Sequence, residues 1–165
     1  MARIASYLAS QLGLGDEQIL LLRAAAPMHD VGKIATPAEI LRKPGPLTPE
    51  ERKEMERHTE VGHRILSGSE SELLQMAARI ALTHHEWFDG SGYPRGLAGE
   101  EIPIEGRIVA VADVFDALLS DRPYRPGMSV EEAAALIRQG SGSHFDPEVA
   151  EVLLEHLEDA LELRD

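Results

Sequence analysis

Six residues in four short segments are of types that hold metal ions: His29-Asp30, His58, His84-His85 and Asp113. The chain has no cysteine, so disulfides and thiolate ligands are excluded and any metal must be held by imidazole and carboxylate. Singly, each segment says little. A His-Asp dipeptide occurs by chance, and a lone histidine on an amphipathic helix is more often surface or core than ligand. Asp113 is different. It follows the apolar run Ile108-Val109-Ala110-Val111-Ala112, where burying a carboxylate is costly without a partner. No arginine stands within one helical turn of it, so a cation is the expected partner. The two doublets add a geometric point. Adjacent residues on a helix point about 100° apart. His29 and Asp30, or His84 and His85, therefore serve two neighbouring ions more readily than one, or Asp30 bridges them. Two ions about 3.5–4 Å apart can share a bridging hydroxide and clamp both oxygens of an in-line phosphoryl displacement. His63, His144 and His156 are expected to be structural, the last two with no carboxylate partner in view.

These residues need elements to position them, and the pattern is helical almost throughout. Ile4, Leu8 and Leu12 form a stripe at four-residue spacing. Asp16 is a plausible cap for a helix through Ile19-Leu20-Leu21-Leu22 that is apolar nearly all round and is expected to be central. Pro27 should kink or restart it just before His29-Asp30. Thr48-Pro49-Glu50-Glu51 is a strong helix start with a capping-box glutamate, and this helix is expected to reach Leu66. Another helix ends near His84-His85. The stretch from Glu86 to about Pro103 is too long for mere linkage. Ile104 to Leu119 reads as a buried helix. Ser129 caps the next, and Asp146-Pro147 opens a last one through Leu163. Strand signals are sparse, and no repeat, low-complexity tract or linker is present. The expected fold is all-α, a compact bundle of about seven helices in a single domain over 1–165.

Composition narrows the function classes. Of the 165 residues, 43% are hydrophobic and 27% charged, an ordinary globular balance. The formal net charge of −13 and the lack of a basic cluster argue against DNA or RNA as a partner. No apolar run is long enough to span a bilayer and no signal peptide is legible, so no membrane contact and a cytoplasmic location are expected. An anionic substrate would need local positive charge to overcome the global repulsion.

The ordered motifs His29-Asp30-Val31-Gly32-Lys33, His58-Thr59-Glu60-Val61-Gly62, His84-His85-Glu86, Asp89-Gly90-Ser91-Gly92-Tyr93-Pro94 and Asp113-Val114-Phe115-Asp116-Ala117 resemble the HD-GYP family of metal-dependent phosphohydrolases. The resemblance runs from about Ala24 to Pro147. It implies an HD-domain helical core and hydrolysis of cyclic di-GMP to pGpG, GMP or both. It implies a centre of two divalent metal ions, or three in a variant form, iron or manganese by preference and zinc or nickel as alternatives, held by His29, Asp30, His58, His84, His85 and Asp113, with Asp30 bridging. Lys33 matches a lysine that contacts the scissile phosphate. Arg122 and Arg125 match basic positions that hold substrate phosphate, which supplies the local positive charge. Lysine is more usual at the second of these; arginine keeps the charge and adds a fork of donors. Tyr93 and Asp116 are expected on the substrate side. The Gly90–Pro94 loop is expected to wall the site, with Gly90 and Gly92 allowing a tight turn, and resembles a surface that docks GGDEF-domain proteins.

One departure stands out. The family pattern carries a histidine, and in some members a glutamate, on the helix before the HD pair, just upstream of an Arg-Ile pair like Arg3-Ile4. No histidine precedes His29. The chain is therefore expected to lack the start of its first helix and any upstream regulatory domain. The alternative to a phosphodiesterase is a catalytically weak module that binds cyclic di-GMP or docks a GGDEF partner. A third reading, an HD phosphohydrolase acting on another nucleotide, fits the Gly-Tyr-Pro and Arg-Pro-Tyr-Arg segments less well.

Overall fold

The computed structural model describes residues 1–121 and 126–164. Among them, ten α-helical segments follow in order: α1 (Ala2–Gln11), α2 (Asp16–Ala25), α3 (Ala38–Leu41), α4 (Pro49–Glu56), α5 (His58–Leu66), α6 (Glu72–Thr83), α7 (Ile104–Leu119), α8 (Val130–Gly140), α9 (Pro147–Glu155) and α10 (Leu157–Glu162). Short 3-10 turns lie at Ala26–Met28, Val31–Ala35 and Gly99–Glu101. The described residues form no strand, only the isolated bridges Asp89–Ala98 and Ser141–Phe145. The all-α expectation holds. With α4 and α5 meeting end to end at Arg57, and α3 and α10 only four and six residues long, the long helices are the seven anticipated. No helix among the described residues is long and apolar enough to cross a membrane.

The centre of the bundle is α7, which packs on α1, α6, α8 and α9. Its Ile108, Val109, Val111, Ala112 and Phe115 are fully buried, and α1 contributes Ile4, Ala5, Leu8 and Ala9 to the same core. The central place expected for α2 goes to α7 instead. Only Leu22 and Ala25 of α2 are buried, and Leu20 is 67% exposed. A helix that is apolar all round need not be covered all round.

Local chemistry explains most boundaries. Thr48 Oγ1 accepts from Glu51 N at 3.2 Å, and the Glu51 carboxylate accepts from Thr48 N at 2.7 Å. Ser129 and Glu132 repeat this reciprocal cap at the head of α8. Each such cap contributes about 1 kcal/mol. Asp16 is the first residue of α2 rather than its cap, which is Gly15. Two expected helices are broken. The one from Thr48 to Leu66 divides at Arg57, and the last one divides at His156, whose φ of −118° and ψ of 35° leave the helical region.

The turn carrying His29 and Asp30 matters most. Pro27 has no N–H and cannot continue the α2 ladder, so α2 ends at Ala25 and two 3-10 turns follow. His29 and Asp30 sit between these turns, not on an α-helix. The second turn lies directly on α5. A Cβ at Gly32 would collide with the His58 carbonyl oxygen and the Gly62 amide nitrogen, so glycine is what allows this approach.

Candidate metal centre

Four segments converge. Asp30 comes from the turn after α2, His58 from the first residue of α5, His84 and His85 from the end of α6, and Asp113 from the middle of α7. One ligand-type atom from each of Asp30, His58, His84 and His85 lies within 4.8 Å of all the others. The Asp30 carboxylate divides the cluster. Its Oδ1 is 3.4 Å from His58 Nε2 and 3.7 Å from His84 Nε2. Its Oδ2 is 3.4 Å from His29 Nε2 and 2.6 Å from Lys33 Nζ. His29 Nε2 in turn lies 3.5 Å from Asp113 Oδ1. The carboxylate thus shows one oxygen to His58 and His84 and the other to His29 and Lys33.

Three of the rings are oriented by the backbone. Nδ1 of His29 donates to Ala26 O at 2.9 Å, Nδ1 of His58 to Met55 O at 2.6 Å, and Nδ1 of His84 to Ile80 O at 3.0 Å and Ala81 O at 3.1 Å. A carbonyl only accepts, so Nδ1 carries the proton in each ring. The Nε2 lone pair of a neutral ring is then left for a cation, the usual arrangement for metal-binding histidines.

Asp30 Oδ1, His58 Nε2 and His84 Nε2 are buried and have no hydrogen-bond partner among the described residues. Buried polar atoms are costly when unpaired, and a divalent cation would pair these three acceptors at once. The donor set of nitrogen and carboxylate oxygen suits iron, manganese, zinc or nickel.

Protonation follows the same logic. Burial pulls the His85 ring down to about 2, and any charge on the adjacent His84 or His58 would push it the same way. Burial also lowers His58. Burial works against charge on His29 too, but Asp30 and Asp113 outweigh it and the net shift is upward. For Asp30 burial favours the neutral acid, yet His29, His84 and Lys33 hold the carboxyl well below the usual carboxylate range.

The match to the HD-domain family model covers residues 1–149. The chain belongs to the HD-domain family. The order and spacing of its motifs resemble the HD-GYP pattern. It is 51% identical over 154 residues to the cyclic di-GMP phosphodiesterase response regulator RpfG of Xanthomonas campestris pv. campestris, covering 93% of this chain and 41% of that one. It is 45% identical over 165 residues to 3'3'-cGAMP-specific phosphodiesterase 2 of Vibrio cholerae, covering 98% of this chain and 32% of that one. The chain therefore spans less than half the length of these relatives. A solved HDG"Y"P protein from Bdellovibrio bacteriovorus shares the fold, with a TM-score of 0.71 at 23% identity over 95% of this chain and 51% of that one.

Of the other marked residues, Tyr93 reaches the cluster. The Tyr93 ring stacks on His85, with centroids 4.8 Å apart and planes 23° apart. Gly90 takes a positive φ of 84°, as its place in the loop anticipated. Asp116 accepts from Arg164 Nε at 3.1 Å. Arg122 and Arg125 lie outside the described residues. Asp113 is not buried as its apolar flanks led one to expect. Its side chain is 34% exposed, at the edge of the centre.

His63 Nδ1 lies 3.2 Å from the Ala78 carbonyl oxygen. His144 packs between Trp87 and Phe145. His156 does have a carboxylate neighbour, Asp159, at 3.4 Å, and meets the Tyr7 hydroxyl at 3.2 Å.

Two supporting groups were not legible in the sequence. Glu86 is 2% exposed and spans the loop with its carboxylate. Arg107 donates to Asp146 at 2.6 Å and to Ile102 O at 2.9 Å, tying the end of that loop to the head of α9. For Glu86, the available signal was its place between two ring ligand types and a glycine-rich loop.

Proposed function

We propose that the chain is the catalytic domain of a metal-dependent phosphodiesterase that hydrolyses cyclic di-GMP to pGpG, GMP or both. The observation that carries this reading is the Asp30 carboxylate, with an orphaned oxygen facing the orphaned nitrogens of His58 and His84 and its other oxygen facing His29. His29, Asp30, His58, His84, His85 and Asp113 would hold two divalent metals, with Asp30 shared. When bound, such a pair supplies Lewis acidity and lowers the pKa of water into the neutral range. Iron or manganese is the preferred occupant.

The chain's own residues do the rest. Nδ1–H bonds to main-chain carbonyls keep three imidazoles turned inward. Lys33, paired with Asp30 at 2.6 Å, places a positive charge beside the centre, where charge would develop on phosphoryl oxygens. Arg122 and Arg125 would add positive charge for the phosphates. Tyr93, with its phenol held above the usual range by burial and by Glu56 and Asp30, remains a neutral hydroxyl over His85. The exposed Ser91 and its neighbours from Gly90 to Pro94 would serve as the face for GGDEF-domain proteins in the cytoplasm.

A relative named as 3'3'-cGAMP-specific, 45% identical to this chain, favours a second substrate of the same chemistry. The test joins elemental analysis of chelator-free protein to product chromatography with cyclic di-GMP and 3'3'-cGAMP. Two metals per chain with pGpG or GMP released is the expected result, and Asp30→Ala should remove both metal and turnover. Turnover retained in that variant would overturn the reading. Nucleotide bound without release of product would make the chain a binding module.

A further inference from the structure

We infer that Glu86 is a positioning residue, whose carboxylate clamps the loop from Trp87 to Leu97 so that Tyr93 is held against His85. The inference rests on the proposed role of His85 in holding metal. It starts from a contrast within the centre. Nδ1 of His29, His58 and His84 each donates to a main-chain carbonyl. Among the described residues, neither ring nitrogen of His85 makes such a bond. Its ring is located by ring packing, tilted against His84 with centroids 4.1 Å apart, edge-on to His58 at 5.1 Å and stacked on Tyr93 at 4.8 Å. His58 and His84 are fixed by their own bonds. Tyr93 belongs to a loop, so the face of His85 that it covers is held only as well as that loop.

Glu86 fixes the loop at both ends. Its amide donates to Thr83 O at 3.0 Å, which roots it on the last turn of α6. Its carboxylate crosses to the far end, where Oε1 accepts from Arg95 N at 2.8 Å and Oε2 from Leu97 N at 3.0 Å. Between these anchors Tyr93 N donates to His85 O at 3.1 Å. Gly92 lies so close to the main chain of His85, Glu86 and Trp87 that a Cβ there would collide with it. Main chain and clamp together hold the Tyr93 backbone beside His85, and its ring stacks on the imidazole with planes 23° apart.

The clamp requires a carboxylate. Both partners are N–H donors, and an ionised carboxylate offers an acceptor to each, in bonds stronger than neutral ones. A glutamine accepts with one atom only and points its amide N–H group at the second donor. Glu86→Gln keeps size and nearly keeps shape, yet breaks one bond and sets two donors against each other. Groups that orient a ligand's ring support metal affinity by roughly 10–100-fold, and an effect of that order is expected here.

The experiment compares wild type with Glu86→Gln in three readouts. In metal-free wild type, the amides of Arg95 and Leu97 should exchange slowly and the His85 and Tyr93 rings should show a mutual nuclear Overhauser effect. In Glu86→Gln both should be lost while the far-UV helical signal stays. Trp87, the sole tryptophan, should report the loosened loop by a change in emission. In titrations with cobalt(II), the variant should bind with at least tenfold weaker affinity and an altered visible absorption band. Rapid exchange at Arg95 and Leu97 in wild type would overturn the clamp, whatever the variant does. A variant with a loosened loop but unchanged ring contact and cobalt affinity would overturn the positioning role. Wild type that binds no cobalt would defeat the proposed function, while the metal-free ring contact would still decide the clamp.

Discussion

His85 carries the ring of the centre least able to hold a proton. Burial and the neighbouring His84 and His58 bring it to about 2. An unfolded chain has an ordinary histidine there, near 6.5. Between these values the unfolded state binds a proton that the folded state refuses. Stability of the metal-free protein therefore falls as pH drops below about 6.5, by up to about 1.4 kcal/mol per pH unit from this group. His58, also lowered by burial, acts in the same sense. His29 opposes them, because its folded value is raised and its contribution is present below 6.5 and lost as pH rises through the folded value. In urea unfolding of chelator-treated protein at pH 7.5, 6.5 and 5.5, His85→Gln should show a shallower loss of stability on acidification than wild type. Equal slopes would show that residue 85 does not set the acid response.

At the scale of elements, the boundaries written in short-range chemistry were legible and those written in long-range contacts were not. The caps at Thr48 and Ser129 and the whole of α7 from Ile104 to Leu119 follow from residues within one turn of each other. The breaks at Arg57 and His156 do not. The ring of His156 is received by Tyr7, 149 positions away in sequence, a contact that no periodicity reveals. The candidate site divides in the same way. Histidines and aspartates announce themselves by type and spacing, whereas Glu86, though it follows the histidine pair, shows its partners only when the loop closes on it. Gly32 is a related case. In sequence it is one glycine beside the HD pair. In the fold it is where the turn from Val31 to Ala35 lies on α5, with the His58 carbonyl and Gly62 amide filling the space a side chain would take. Backbone cannot retreat as a side-chain tip does, so Gly32→Ala should cost about 1–3 kcal/mol, the range for overpacking. It should also move Asp30 away from His58. Thermal unfolding checks the first effect and cobalt(II) affinity the second. A variant unchanged in both would mean that the turn and helix can separate without cost.

Over the whole molecule, the centre is also where distant parts of the chain are joined. Asp30, His58, His84-His85 and Asp113 belong to the turn after α2 and to α5, α6 and α7, and apart from the His84-His85 pair these segments are far apart in sequence. Without a cation the folded state must keep Asp30 Oδ1, His58 Nε2 and His84 Nε2 buried and unpaired. That cost is absent from the unfolded chain, where water solvates all three. A metal held by Asp30, His58 and His84 would remove the cost, and so would bind the folded state far better than the unfolded one. One ion present at a hundred times its Kd adds about 2.7 kcal/mol. For a chain of this size that corresponds to a rise of roughly 5–10 °C in the unfolding midpoint. Thermal unfolding with manganese(II), then with chelator in excess, should show the rise and its reversal. Asp30→Ala removes the carboxylate that faces both halves of the cluster, and should melt at the same temperature with or without the ion. A wild-type midpoint indifferent to manganese, iron(II), zinc and nickel alike would mean that the orphaned atoms are tolerated as they stand, and that the convergence of these four segments serves packing rather than metal.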